Sequence, residues 1–408
     1  MKNISTNKQS GAVSLFVVIF FMLLVTVVTV SFVRLMIHDQ QQASNDDLSK
    51  SAYDSAQAGV EDAKRAILKY QQNCSNDPNN CDAYGAALST GQCNGALDTF
   101  LGTGSTGEVP VQQTQSGNDA TLQQAYTCVT INLDTGDYQT SGAANQSVIV
   151  PLYSSRPFDR IHIEWFSKDD VSPATKNLSL SGVNASGQPL FNQGLWPANR
   201  PPLVRAQLMQ FAGSFNMSNF DVVSGSQSDA STMFLYPTSQ PNIGDRVYTA
   251  YDQRKTTPTG DPMPKDSLTT PTAVSCEPNL NTNIFACSAV LEVPQAIGAA
   301  NNDRTAFLRL TPLYNATHFK VTLWDGPVIL NPKPNDPLIN AVGFKAVQPE
   351  VDSTGRANNV FRRVVSRINL FDTNFPYPDA AIDVTGDFCK DFSVTDTQYI
   401  ASVNTCTP

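Results

Sequence analysis

The sequence predicts an α+β protein in which a long N-terminal membrane-spanning helix is followed by a large, mainly antiparallel β head with disulfides. Three observations carry this reading. Residues 12–33 form one uncharged apolar run, strand-like segments alternate with turn clusters beyond residue 127, and eight cysteines are scattered through the chain without a CxxC pair.

As a helix, residues 12–33 would extend about 33 Å, one hydrocarbon thickness. A cleavable secretory signal has a shorter apolar region that ends in small residues, whereas SFVRLMI follows here, so an anchor is the preferred reading. Lys2 and Lys8 precede the run, and Arg34 and Asp39 follow it. This modest bias puts the short N-terminus in the cytoplasm and the bulk of the chain outside. Between Met36 and Tyr70 there is no proline and one glycine, Gly59. Leu48, Ala52, Ala56, Val60, Ala63 and Ile67 recur at steps of three and four, which makes one helical face opposite a polar one. Read as a single element, residues 12–70 would span about 88 Å.

The 408 residues carry 27 Lys and Arg against 36 Asp and Glu, a net charge of −9, and only 15% are charged, where about 25% is usual. The acidic balance argues against a dedicated nucleic-acid binder, which normally shows a basic field. A hydrophobic share of 41% with 26 prolines and 23 glycines describes a folded chain with many turns.

The cysteines are Cys74, Cys81, Cys93, Cys128, Cys276, Cys287, Cys389 and Cys406. Zinc sites need closely spaced pairs, and His38, His162 and His318 stand apart from all of them, so disulfides of an exported protein are preferred to metal. Short spans favour Cys276 with Cys287 and Cys389 with Cys406; the remaining four allow three pairings.

Residues 71–127 read as a cysteine-containing, loop-rich segment with a short helix near 86–101, and 128–408 as a β-rich extracellular head of one or two sub-domains. Strand-like runs fall at 126–133, 147–153, 160–166, 203–211, 232–236, 288–293, 306–314, 316–324 and 360–371. In RIHIEWF, Ile161, Ile163 and Trp165 face one way and His162 and Glu164 the other, the alternation of a half-buried strand. The run from Ala306 to Trp324, with Asn315 between two strand-like halves, reads as a hairpin.

A polar leader with Lys2 and Lys8, a Gly11–Ala12 junction directly before the apolar run, and a helix continuing beyond it together resemble a type IV prepilin. SAYDSAQAGVEDAKRAI, residues 51–67, is similar to the helix after the membrane span in PilX-type minor pilins and related pseudopilins. The resemblance covers residues 1–70 and implies a cytoplasmic leader at 1–11, a transmembrane helix at 12–34 and an amphipathic extension at 35–70. It also implies cleavage by prepilin peptidase between Gly11 and Ala12, and contacts with other pilin subunits through the N-terminal helix. Major pilins usually carry Glu at the fifth mature position, where this chain has Phe16. A carboxylate in hydrocarbon is costly unless paired, so Phe16 removes both a cost and a docking contact. That shifts the expectation from a shaft subunit to a low-abundance or tip subunit.

Fragments that imitate catalytic motifs lack the context their chemistry needs. Gly102, Gly104 and Gly107 spell GxGxxG, but they follow a helical stretch rather than joining a strand to a helix. Asp134-Thr135-Gly136 imitates half an aspartic protease site without a second half; it, Asp352-Ser353-Thr354-Gly355 and Asp383-Val384-Thr385-Gly386 read as turns between strands. His162 and His318 have no accompanying GxSxG and read as packed or surface strand residues. Asp169, Asp170, Asp383 and Asp387 do not form a calcium loop. The basic cluster Arg356, Arg362, Arg363 and Arg367 could contact an anion such as DNA phosphate, but alternation splits it between faces. Pairing with carboxylates such as Asp352, Asp372 and Asp379 is preferred.

The expectation is therefore a non-enzymatic subunit of a type IV pilus or related secretion filament, serving assembly, priming or adhesion, without cofactor or metal. It would sit in the cytoplasmic membrane before assembly and at the cell surface afterwards. No ligand of the head is legible. A single-pass anchored binding protein that never polymerises is the alternative, and an anchored enzyme the third reading.

Overall fold

The computed structural model describes residues 10–103, 107–111, 123–171, 177–180, 196–211, 230–239, 247–249, 272–278, 280, 284–298, 305–328 and 340–370. Within them three helices, α1 (Ser10–Asn76), α2 (Cys81–Leu88) and α3 (Gly95–Leu101), precede the strands. These are β1 (Val109–Pro110), β2 (Ala125–Thr135), β3 (Tyr138–Gly142), β4 (Val148–Pro151), β5 (Phe158–Ser167), β6 (Leu203–Phe211), β7 (Ala230–Thr238) and β8 (Val247–Thr249). They continue with β9 (Thr272–Ser275), β10 (Phe285–Ile297), β11 (Thr305–Leu313), β12 (Thr317–Trp324), β13 (Ala341–Val342), β14 (Phe344–Ala357) and β15 (Val360–Arg367). The chain divides into two compact units, Met1–Asn132 with Val351–Ser366, and Leu133–Glu350 with Arg367–Pro408.

The first unit is a helix laid on a sheet. The sheet has strand order β1-β2-β14-β15. α1 buries Ala52, Ala56, Val60, Ala63 and Ile67 of the stripe expected from the sequence, with Leu48 only half-buried, and Ser55, Ala66 and Tyr70 join them; Gly355 of β14 lies against Ala52 and Ala56. The helix continues past Tyr70 to Asn76, where the Cys74–Cys81 disulfide turns the chain into α2. One helix was expected near 86–101. The chain instead breaks it with two left-handed residues, Gly91 (φ 69°) and Asn94 (φ 59°). Asn94 is buried there because its side chain donates to Gly107 O at 2.6 Å and accepts from Val129 N at 2.9 Å, while the adjacent Cys93 is bonded to Cys128 of β2. A segment expected to be loop-rich is thus two short helices pinned by disulfides.

The second unit packs a six-stranded sheet, order β13-β12-β5-β10-β8 with β3 also on β12, against a five-stranded one, order β4-β11-β6-β7-β9. Most pairs are antiparallel; β8 on β10 and β9 on β7 are parallel. Ile161, Ile163 and Trp165 of β5 lie in register with Leu291, Ala289 and Cys287 of β10 and with Leu323, Val321 and Phe319 of β12. Leu308 and Leu310 of β11, Ala206 and Leu208 of β6, and Met233 and Leu235 of β7 belong to the same core. The Cys276–Cys287 disulfide, the pair favoured by its short span, is buried at one end.

Two expectations are corrected. The run from Ala306 to Trp324 is not a hairpin: β11 pairs with β4 and β6, whereas β12 pairs with β3, β5 and β13. Residues 314–316 carry the chain from one sheet to the other. Tyr314 takes a left-handed φ of 82°, and the Asn315 amide donates to Pro197 O and Arg200 O at 2.9 and 2.8 Å. Both strands bury their alternate apolar residues in one core, which a sandwich allows and a two-stranded hairpin does not. Second, Asp352-Ser353-Thr354-Gly355 is not a turn but lies inside β14, the longest strand described and one the sequence did not suggest. Its small residues face α1.

Candidate functional site

The candidate site is α1 itself. From residue 15 to residue 47 every residue is exposed, and over its most apolar 18 residues the mean hydropathy is 2.9 with nothing buried. A contiguous apolar surface of this size is not left in water by a folded domain. The helix is long and apolar enough to cross a membrane, as an anchor or a signal sequence would be. Its hydroxyls suit hydrocarbon. Thr26 donates to Leu23 O at 2.8 Å, Thr29 to Val25 O at 2.9 Å and Ser31 to Val27 O at 2.8 Å, so none needs water. Gly11 and Ala12 fall in the first helical turn. Phe16 is 79% exposed. Lys2 and Lys8 lie outside the described residues.

After Leu48 the same helix is held by backbone contact. A Cβ on Gly355 would collide with Ala52 O and Ala56 N, and one on Gly59 with Ser353 Oγ and Val129 Cγ2. Ser353 Oγ donates to Ala56 O at 2.7 Å. Tyr126 of β2 donates to Asp62 at 2.9 Å, and burial together with that carboxylate pushes the phenol pKa well above its ordinary 10.0. The helix stripe was visible in the sequence. Its partners Ser353 and Gly355 were not, although small residues at period two, Ser353, Gly355 and Ala357, were a usable signal.

The arginines do not gather into an anion site. Arg363 pairs with Asp352, Arg356 with Glu108 at 2.5 Å, and Arg367 with Asp137 at 2.8 Å and Glu350 at 3.1 Å. Arg362 donates to Ser49 on α1 at 2.7 Å, on the face opposite Arg363. Asp372 and Asp379 lie outside the described residues, as do Cys389, Cys406, Gly104, Asp383 and Asp387.

The other motif residues have structural roles. Gly102 ends α3 in a left-handed conformation, φ 67°. Asp134 accepts from Ala346 N at 3.2 Å. Asp170 forms a capping box with Ser167, accepts from His318 N at 3.0 Å and lies 2.7 Å from His318 Nδ1, which leaves its oxygens engaged within the fold. No group of three metal-ligating side chains occurs among the described residues.

His162 is buried, with Nδ1 3.5 Å from Thr322 Oγ1. That oxygen also accepts from Trp324 Nε1 at 2.9 Å. Burial lowers the pKa of this histidine below the usual 6.5; Glu164 opposes the shift and Lys320 adds to it.

No family model matches the chain, and neither does a curated protein or a solved structure.

Proposed function

We propose that the chain is a minor, low-abundance or tip subunit of a type IV pilus or related secretion filament, made as a prepilin and cut after Gly11. The observation that carries this is one unbroken helix, Ser10–Asn76, exposed from residue 15 to residue 47 and apolar up to Val33, while its part after Leu48 is clamped to a sheet. Such a helix can rest in a bilayer and later exchange lipid for neighbouring helices without refolding, because its backbone hydrogen bonds are internal in either surrounding. Prepilin peptidase would act on the cytoplasmic side. Phe16 in place of a carboxylate supports a position that does not repeat along a shaft. The disulfide-bearing β region would be displayed outside for priming, capping or adhesion, with no catalysis of its own.

The test is the N-terminal sequence of the protein from membranes and from sheared surface filaments, with Gly11→Val as control. A chain starting at Ala12, lost in the variant and present in the sheared fraction, is expected. An intact Met1 terminus confined to membranes would replace this reading with a single-pass anchored binding protein.

A further inference from the structure

In the second unit β5, β12 and β3 lie side by side in that order. Regular pairing of β5 with β12 stops at Trp165 and Phe319. There Phe166, a buried residue, takes a left-handed φ of 66°, and its N–H goes to the Thr317 hydroxyl at 2.9 Å instead of to a backbone carbonyl. The chain then winds through the short 3-10 helix Lys168–Asp170, which brings the Asp170 carboxylate to the backbone N–H that His318 would otherwise turn to β5. Backbone strain of this kind persists only where the surroundings enforce it, and it gathers at functional sites.

Asp170 is held on several sides. Its Oδ2 accepts from Ser167 N at 2.7 Å, Ser167 Oγ at 3.1 Å and His318 N at 3.0 Å, and its Oδ1 lies 2.7 Å from His318 Nδ1. The side chain of Asp170 is 6% exposed and that of His318 46%. An ionised carboxylate only accepts, so Nδ1 of the neutral imidazole carries the proton and Nε2 keeps its lone pair. The two ring nitrogens point to opposite flanks. With Nδ1 turned to Asp170 at the end of β5, Nε2 faces β3.

Ser141 of β3 stands directly opposite His318. The N–H and C=O of one strand residue point to the same side, and His318 N points to the β5 side. Ser141 and His318 are therefore a non-hydrogen-bonded pair, the kind with Cα atoms about 4.5 Å apart and side chains closest. Ser141 is exposed, and neither its hydroxyl nor His318 Nε2 has a hydrogen-bond partner among the described residues.

We propose that Ser141 is a modification site, a serine whose hydroxyl is activated by His318 to take an acyl group from an activated ester such as a thioester or an aryl ester. As Ser141 Oγ bonds to the acyl carbon, its proton passes to His318 Nε2. The bond from that carbon to the leaving sulfur or oxygen then breaks, and the leaving group departs with the proton. Asp170 is a positioning residue: it fixes the ring and its tautomer and stabilises the imidazolium while the proton is there. The product is one ester per chain, at Ser141. All three residues belong to the second unit, and the proposal does not depend on assembly into a filament.

The test treats the full chain in lipid nanodiscs with para-nitrophenyl acetate and locates the acetyl groups over time by peptide mass spectrometry. Ser155, an exposed serine outside the strands, is the internal reference. Acetylation of Ser141 at least about a hundredfold faster than of Ser155 is expected. His318→Gln should remove that advantage with an unchanged thermal unfolding midpoint. Asp170→Asn should slow Ser141 by at least about tenfold and move the ring proton of His318 from Nδ1 to Nε2, read from the nitrogen NMR shifts of labelled histidine, a change that loss of a merely structural contact does not produce. Equal rates at Ser141 and Ser155, equal rates at Ser141 in wild type and His318→Gln, or a ring proton on Nε2 in the wild type overturns the proposal.

Discussion

The seam between α1 and its sheet in the first unit and the core of the second unit are packed by opposite means. In the seam, α1 meets its sheet through Ala52, Ala56, Gly59, Ser353 and Gly355, residues so small that backbone touches backbone. In the second, Trp165, Phe158, Phe166, Phe319, Phe344 and Ile161 fill the space between sheets with bulk. Close approach fixes the distance between two elements tightly and tolerates no addition, whereas a core of large side chains suffers most when emptied.

Substitutions of opposite sense should separate the two designs. Trp165→Ala, which also removes the bond from its indole nitrogen to Pro202 O at 3.3 Å, should cost about 3–5 kcal/mol in urea unfolding; a loss under about 1 kcal/mol would mean the second core is loosely filled. Gly355→Val should cost about 3 kcal/mol by overpacking, because the atoms in its way are helix backbone that cannot rotate aside. If that variant unfolds with the wild type, backbone contact is not what clamps α1. Ser353→Ala adds nothing and deletes one hydrogen bond, so a loss of about 1 kcal/mol is the expected ceiling.

The smallest effect sharpens the comparison from the polar side. His162 is a buried titratable group among large residues, and burial holds its folded pKa below the unfolded value of 6.5. Its neutral form is favoured by folding, so its contribution is complete above 6.5 and is lost as the pH falls toward the lower folded value. The unfolding midpoint of wild type should therefore fall more between about pH 7 and 5 than that of His162→Gln. Parallel curves for the two proteins would show that His162 does not titrate with unfolding.

The same contrast explains what could be read from the sequence. β5, β6, β11 and β12 announce themselves because large apolar residues alternate with polar ones, and their bounds differ from the expected ones by at most two residues. β14 is longer than any of them and stayed hidden. Its helix-facing positions are Ser353, Gly355 and Ala357, which next to Asp352 spell a turn when tertiary contact is left out. The disulfide between Cys276 and Cys287 followed from a short span. The pairs Cys74–Cys81 and Cys93–Cys128 were left among three alternatives, although the separation of 7 in the first is shorter still. Of the candidate site, the apolar part of α1 was plain from composition, while its clamp at Ser353 and Gly355 was not, since that contact belongs to tertiary packing.

α1 leaves its sheet at Leu48, and its exposed stretch, residues 15–47, extends about 50 Å. A bilayer's hydrocarbon takes about 30 Å of that. With the apolar part embedded, roughly 20 Å of rigid rod would stand clear of the hydrocarbon before the first sheet contact. The rod behaves as a lever. A tilt of about 20°, ordinary for a single span, would swing Leu48 sideways by roughly 12 Å about the bilayer centre, with no hinge and no broken hydrogen bond.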